Sequence, residues 1–576
     1  VILKKSGRIS ERLSTSSWLS CTTCSNEQVS LHISIHPPFG YHEEVKNTIE
    51  ILIKEALRGL DIQDTDFVVE HPADLKMGDY STNVGIKRRT RAQEIFEYLD
   101  KNKTDDIERV EIAGPGFINF YLSKKFFLNS LKQIIDAGDN FGQNSNLEDK
   151  KFLVEHTQPN PFKEFHIGHM MNNIIGESVA GMIKANGANV KTVTYHGDVG
   201  LHVAKAIWGA LKQSGDFTGA YAFGHKSYED DENAKKEIIE INKKIYDKSD
   251  SKVNALYESG RQNSLDDFEL MYKRLGSEFA GHFYESEAGE IGKKLVLENA
   301  GEVFEESEGA IIFKGEKFGL HTRVFLNSEK LPTYEAKEVG LAKIKKNKFV
   351  YDESITITAN EQDAFFNVVE VAISQIFPEL NGKLRHLSHG VLKLPSGKMS
   401  SRTGTIITAE DLIEDVKKII SDKGDIAQEE VAIGAIKYMI LRQSIGNDII
   451  FDLEKSVSTE GDSGVYLQYA YARTNSILEK ADKSADTNIK IEENYEIEKL
   501  LYRFPEVVEN AMDEFAPSHI TTYLTQLAGS FNSLYAREQI LSDKPESAYL
   551  IAVTKAFNTV MKNGLTILGI PTPERM

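Results

Sequence analysis

The chain has 576 residues, too many for one hydrophobic core, so several domains are expected. With 40% hydrophobic and 27% charged residues it is neither largely disordered nor collagen-like, and no run approaches the ~18 uncharged apolar residues needed to cross a bilayer. A net charge of −19 argues against coating nucleic acid non-specifically, yet it leaves room for a local basic groove.

Residues 1–41 are rich in Ser and Thr and show no clear period. Cys21, Cys24, His32 and His36 give C-x2-C-x7-H-x3-H, with a spacer shorter than the ~12 residues of the common zinc finger. A disordered arm is the expectation. It holds no continuous apolar stretch of the kind a secretory signal needs. Two cysteines cannot build a disulfide framework, which fits a reducing cytoplasm.

A helical pattern starts at His42, with Val45, Ile49, Ile51, Leu52, Ile53, Ala56 and Leu57 as its apolar residues. Phe67–Glu70 reads as a strand, about Ala92 to Leu99 as a helix, and Phe117–Leu122 as a strand after the tight turn Gly114-Pro115-Gly116. Residues 42–125 therefore form a small α+β domain.

A β-α-β unit follows: a strand over Phe152–His156, a helix from Ile167 to Ile183, and a strand over Val190–Tyr195. This is the minimal right-handed parallel crossover, and ligands in such sheets sit beyond the carboxyl ends of the strands. About Ser214 to Glu306 is charged and mostly helical, and is expected to be a solvated insertion. Strand character returns at Ile355–Thr358 and around His389–Leu394. From about Ala409 the chain is helical almost to its end, long enough for a domain of its own. The fold class is thus α/β: a parallel-sheet domain over 126–425 with an insertion about 214–306, preceded by the small domain and followed by a helical domain over 426–576.

Two motifs can carry chemistry. His166-Ile167-Gly168-His169 lies where the first strand hands over to its helix, so free N–H groups and the helix dipole favour a phosphate there. Gly168 lets a flat ring lie against the backbone, and the two imidazoles can donate to phosphate oxygens. Lys398-Met399-Ser400-Ser401-Arg402, between Gly397 and Gly404, is a basic loop after a strand, and its cations could clamp a leaving pyrophosphate. Taken singly, the bland alternatives are helix-start histidines without a role and a solvated surface loop.

In this order and about 230 residues apart, the motifs resemble the HIGH and KMSKS signatures of class I aminoacyl-tRNA synthetases. The run Val154-Glu155-His156-Thr157-Gln158-Pro159-Asn160-Pro161-Phe162-Lys163-Glu164-Phe165 resembles the one before the first signature in arginyl-tRNA synthetases. Further resemblances lie at Gly78–Asn83, Gly114–Asn119, Gly197–Gly200, Tyr466–Arg473 and Asn563–Met576, so the likeness covers about residue 42 to the end. Three positions depart from the pattern: Ser401 replaces the second lysine of KMSKS, Val199 a tryptophan, and Glu338 an aspartate.

The resemblance implies a Rossmann-type catalytic domain that activates L-arginine with ATP and transfers it to tRNA(Arg), with Mg²⁺ carried by the ATP. His166, His169, Lys398 and Lys163 would be catalytic. Gly168, Met399, Ser400 and Arg402 would join His166, His169 and Lys398 in binding ATP. Glu155, Asn160, His166, Tyr334, Glu338 and Gln362 would bind arginine, a planar cation that calls for carboxylates. The helical domain would read the anticodon, with Phe531, Asn532 and Tyr535 as candidates, against the alternative that they are core. A cytoplasmic monomer without membrane contact is expected. The competing readings are a class I synthetase for another amino acid and a non-catalytic RNA-binding relative.

Overall fold

The computed structural model describes residues 41–63, 66–393, 407–422, 428–487 and 495–576. The readings made for Cys21, Cys24, His32 and His36, and for Lys398, Met399, Ser400 and Arg402, lie outside them.

The amino-terminal domain has α1 (Tyr41–Gly59), β1 (Val69–Glu70), β2 (Tyr80–Thr82), α2 (Ala92–Asn102), β3 (Ile107–Ala113) and β4 (Phe117–Leu122), followed by α3 (Lys124–Ala137). Its antiparallel sheet has the order β1-β2-β4-β3. The β3–β4 turn needs its glycines, because Gly114 and Gly116 have φ of 52° and 120°. The expected strand over Phe67–Glu70 is shorter, because only Val69 and Glu70 pair with β2.

The central region contains β5 (Lys151–Glu155), α4 (Ile167–Ala185), β6 (Asn189–His196), α5 (Leu201–Lys212), α6 (Ala220–Asp230), α7 (Glu232–Asp247), α8 (Ser251–Leu275), β7 (Gly281–Tyr284) and α9 (Glu285–Glu298). It continues with β8 (Glu305–Ser307), β9 (Ala310–Phe313), β10 (Arg323–Leu326), α10 (Tyr334–Lys348), β11 (Glu353–Ala359), α11 (Asp363–Ile376), β12 (Leu384–His389) and β13 (Leu392–Lys393). Five strands form one parallel sheet of order β12-β11-β5-β6-β7. The chain winds outward in opposite directions from β5 and β11, so the crevice beyond their carboxyl ends is the place for a ligand. Helix α4 lies close on the sheet; a Cβ on Gly176 would stand 2.2 Å from the His156 ring.

The helical excursion is shorter than the sequence suggested. It ends at Leu275, because Gly281–Tyr284 pairs with β6 as a sheet edge. Four residues are too few to show a period of two among charged helices. Strands β8 to β10 form a separate antiparallel sheet that the pattern did not reveal.

After the second sequence motif come α12 (Ala409–Asp422), α13 (Glu429–Leu441), β14 (Ile449–Ile450), α14 (Leu453–Ser456), α15 (Gly464–Glu479), α16 (Glu498–Leu501), α17 (Phe504–Asp513), α18 (Pro517–Arg537) and α19 (Glu546–Ile567). These helices do not keep a separate core. One buried apolar cluster runs from Leu131 through α4 and α13 to Ile570. The amino-terminal core is itself closed by Tyr502, whose ring meets Phe126 edge-on at 5.1 Å.

Candidate active site

At the switch point lies a cleft of about 740 Å³. One wall is the start of α4. His166 is its N-cap and His169 its third residue, and together they form a capping box made of imidazoles. His166 Nδ1 accepts from the N–H groups of Gly168 (3.1 Å) and His169 (3.4 Å). His169 Nδ1 accepts from the N–H of His166 at 3.3 Å. A ring nitrogen that accepts carries no proton, so each neutral ring holds its proton on Nε2 and is a donor there. Burial, then the charge of Lys163, pushes His166 down to about 4. Burial, then His166 and Lys163, holds His169 well below the ordinary range. The rings stack 3.7 Å apart, and both line the cleft. Gly168 lines it too; a Cβ there would press on the His166 ring at 3.0 Å.

The approach to this helix is strained. Thr157, Gln158 and Phe162 have φ of 76°, 48° and 67°, conformations L-residues adopt at a cost of about 1–3 kcal/mol each. Asn173 Nδ2 donates to Thr157 Oγ1 at 3.1 Å and anchors that loop from α4. On the other flank Asp198 accepts from Arg261 Nε (2.9 Å) and from Ser286 N (2.8 Å) and Oγ (2.7 Å), which ties α8 to the loop after β6. Val199 is buried beside Trp208 and Phe162.

The far wall comes from α9, α10 and the end of β11. Two carboxylates there already hold cations, Glu285 pairing with Lys337 at 2.5 Å and Glu335 with Arg323 at 3.1 Å, and behind them Glu155 of β5 pairs with Lys345. Glu338 makes no ion pair among the described residues. Burial, then the charge of Glu155, raises its carboxyl above the ordinary range, against the opposing pull of Lys345. Tyr334, Asn160 and Gln362 line the same cleft. A Cβ on Gly197 would stand 2.3 Å from Asn160 Oδ1, so that glycine leaves room for the amide. Phe366, Val391 and Leu392 add apolar side chains to the lining, and His389 lines it too.

The structure therefore brings together Asn160, His166, Gly168, His169, Tyr334, Glu338 and Gln362. Two residues fall elsewhere. Glu155 does not line the cleft; it is buried behind the wall, its Oε1 accepting from Gln158 Nε2 at 2.7 Å. Lys163 lines an adjoining pocket with Phe165 and Thr408, its ammonium 5.0 Å from the Tyr221 ring centre. Sequence reasoning missed Glu285, Arg323, Glu335, Lys337 and Lys345, charged positions that no pattern marks until the fold pairs them.

The second motif lies outside the described residues, but both its flanks reach the cleft region. Leu392 lines the cleft. Ile407 to Ala409 lie antiparallel to Phe165–Ile167, with Ile167 N donating to Ile407 O (3.3 Å) and Ala409 N to Phe165 O (2.9 Å).

Family models match in three consecutive stretches. Residues 46–122 match the arginyl tRNA synthetase N terminal domain, 130–453 the catalytic domain of class I tRNA synthetases (R), and 467–576 the DALR anticodon binding domain. The chain belongs to the arginyl-tRNA synthetase family of class I. An arginine–tRNA ligase of Borrelia hermsii is 29% identical over 93% of this chain and 99% of that protein. One of Flavobacterium psychrophilum is 32% identical over 84% and 88%. In fold the chain is similar to the arginyl-tRNA synthetases of Plasmodium falciparum (TM-score 0.73, 20% identity, 92% of this chain and 99% of that one) and Thermus thermophilus (TM-score 0.69, 22% identity, 92% and 100%).

Within the stretch matching the anticodon-binding domain, Phe531 is fully buried and stacks on Phe557 at 4.3 Å, so it is core and cannot take a base. Asn532 and Tyr535 sit beside an exposed cluster. Arg473 lies over the rings of Tyr469 (4.6 Å) and Tyr535 (5.2 Å) and donates to Asn532 Oδ1 at 3.0 Å. Tyr469 and Tyr535 are exposed. The sequence singled out Tyr535 but not Tyr469 or Arg473, which face the same way from a neighbouring helix.

Proposed function

We propose that the chain is an arginine–tRNA ligase, forming arginyl-adenylate from L-arginine and ATP and transferring the arginyl group to the 3′-terminal adenosine of tRNA(Arg) for protein synthesis. The observation that carries this reading is Glu338. It is a carboxylate without an ion pair among the described residues, in a cleft where Glu285 and Glu335 are already neutralised. A guanidinium is the group that would relieve it.

The arginine carboxylate attacks the α-phosphate in line, and positioning with charge stabilisation does most of the work. His166 and His169 donate through Nε2 to phosphate oxygens as charge develops, needing no protonation of their own. Gly168 leaves space over the helix start for a flat ring, and the apolar side chains of Phe366, Val391 and Leu392 suit a base. Tyr334 and Glu338 take the guanidinium, with Asn160 and Gln362 at the polar groups of the amino acid. Lys398 and Arg402, with Met399 and Ser400 alongside, hold the pyrophosphate; the pairing of Ile407–Ala409 beside His166 supports this. With serine at position 401, Lys163 adds the missing positive charge from the adjoining pocket.

Mg²⁺ enters with the nucleotide, held chiefly by phosphate oxygens. The cation pairing of Glu285 and Glu335 supports that, since neither is free to ligate a metal. Glu155 acts from behind the wall. The small domain over 42–125 contacts tRNA, and the helices after residue 426 read the anticodon through Tyr469, Arg473, Asn532 and Tyr535. The protein works as a cytoplasmic monomer; no helix among the described residues is long and apolar enough to cross a membrane.

The test is ATP–pyrophosphate exchange with each amino acid, with and without tRNA. Exchange that depends on arginine and is stimulated by tRNA is expected. Exchange driven by cysteine or glutamate alone would overturn the reading.

A further inference from the structure

We propose that Lys345 is a positioning residue for arginine, acting through Glu155, whose charge and place behind the slot it fixes. This rests on arginine being the amino acid activated.

Lys345 and Glu338 lie seven residues apart on α10, two turns along one face. Glu338 reaches the cleft, and Lys345 reaches Glu155 at the carboxyl end of β5. Both members of the Lys345–Glu155 pair are buried, with side chains 7% and 1% exposed. The second oxygen of Glu155 takes the Gln158 amide, and Gln158 lines the cleft and accepts from Asn172 Nδ2 at 3.2 Å. Lys345 therefore sits at the base of a chain that ends on the cleft wall: ammonium, carboxylate, amide, and then α4.

Among the described residues Glu155 pairs with no cation besides Lys345. Glu285 and Glu335 have their own cations, and Arg385 of β12 is paired with Glu353. Glu370 of α11 shares with Lys345 and Glu338 a small cavity of about 30 Å³, and its carboxyl is pushed up to about 7 by burial. Without Lys345, Glu155 would be an uncompensated buried charge near Glu338. Glu155 would leave its place behind the wall, and Gln158, which donates to it at 2.7 Å, would lose its hold there.

The experiment compares Lys345→Met, Lys345→Arg, Glu155→Gln and the double variant Glu155→Gln/Lys345→Met, reading KM for arginine and for ATP in tRNA-supported exchange. Lys345→Met should raise the arginine KM at least ~10-fold with the ATP KM within about twofold, as expected when one partner of a buried pair is removed. Lys345→Arg should restore most of the loss. The double variant should bind arginine no worse than Glu155→Gln alone, because Lys345 has nothing to position once the charge is gone. That comparison still decides if Lys345→Met does not fold. An unchanged arginine KM, equal losses for arginine and ATP, or a double variant worse than Glu155→Gln alone would overturn the proposal. Absence of arginine-dependent exchange in the unmodified chain would instead sink the functional reading.

Discussion

In the proposed reaction His169 would stabilise charge without carrying one. Its Nδ1 is committed to the helix cap, and the proton it offers sits on Nε2. His169→Ala should lose at least ~100-fold in adenylate formation with the fold intact, since a donor aimed at developing charge is worth about that much. Near-normal exchange in that variant would reject the role. Glu338 behaves in the opposite sense. Its carboxyl is raised by burial and then by Glu155, and a guanidinium favours the ionised form. Arginine binding should thus release a proton, and affinity should rise with pH until Glu338 is ionised in the free protein. Dissociation constants that stay flat from about pH 6 to 9 would contradict this. Glu338→Gln should weaken arginine far more than ATP, and equal effects on the two would take Glu338 out of the slot.

Helix α10 presents Tyr334, Glu338 and Lys345 together because it packs closely on α9. A Cβ on Gly340 would stand 1.9 Å from Ala288 O, and one on Gly292 1.8 Å from Ala336 O. Gly340→Ala would gain ~1 kcal/mol of helix propensity but force the helices apart, which typically costs about 1–3 kcal/mol. A lower melting temperature and a raised arginine KM are expected, and a variant indistinguishable from the parent would show the crossing to be loose. At this scale the sequence was informative where a period was long. Helix α4, its flanking strands and α1 could be read from apolar spacing, and the H-x-G-H string marked the helix start. It was silent on β7 to β10, strands of three or four residues, and on Phe531, whose burial depends on α19 packing against it. The charges of the cleft's far wall were invisible for a different reason. Lys337 and Lys345 sit in a lysine-rich helix, and only its contacts with α9 and β5 show which lysines are buried.

Across the whole molecule the small amino-terminal domain is fastened to the helical region by charge as well as by Tyr502. Glu506 of α17 pairs with Lys46 (2.7 Å) and His71 (2.9 Å). Burial alone would raise its carboxyl, but His71 and Lys46 outweigh that and hold it at about 2, below the ordinary 4.5. A depressed carboxylate contributes stability above its unfolded pKa and loses it as pH falls toward the folded one. The gap in melting temperature between the parent chain and Glu506→Gln should be full at pH 7 and shrink between about 4.5 and 2; a gap independent of pH would refute the pairing. At the other end Tyr469→Ala should raise the KM for tRNA roughly 5- to 100-fold, the worth of a stacked base, and leave ATP binding unchanged. All of this presupposes one reaction. The direct measurement is transfer of radiolabelled arginine to mixed tRNA by the purified chain: ATP-dependent, acid-precipitable label confined to tRNA(Arg) is predicted, and no charging with arginine while another amino acid is attached would contradict the account.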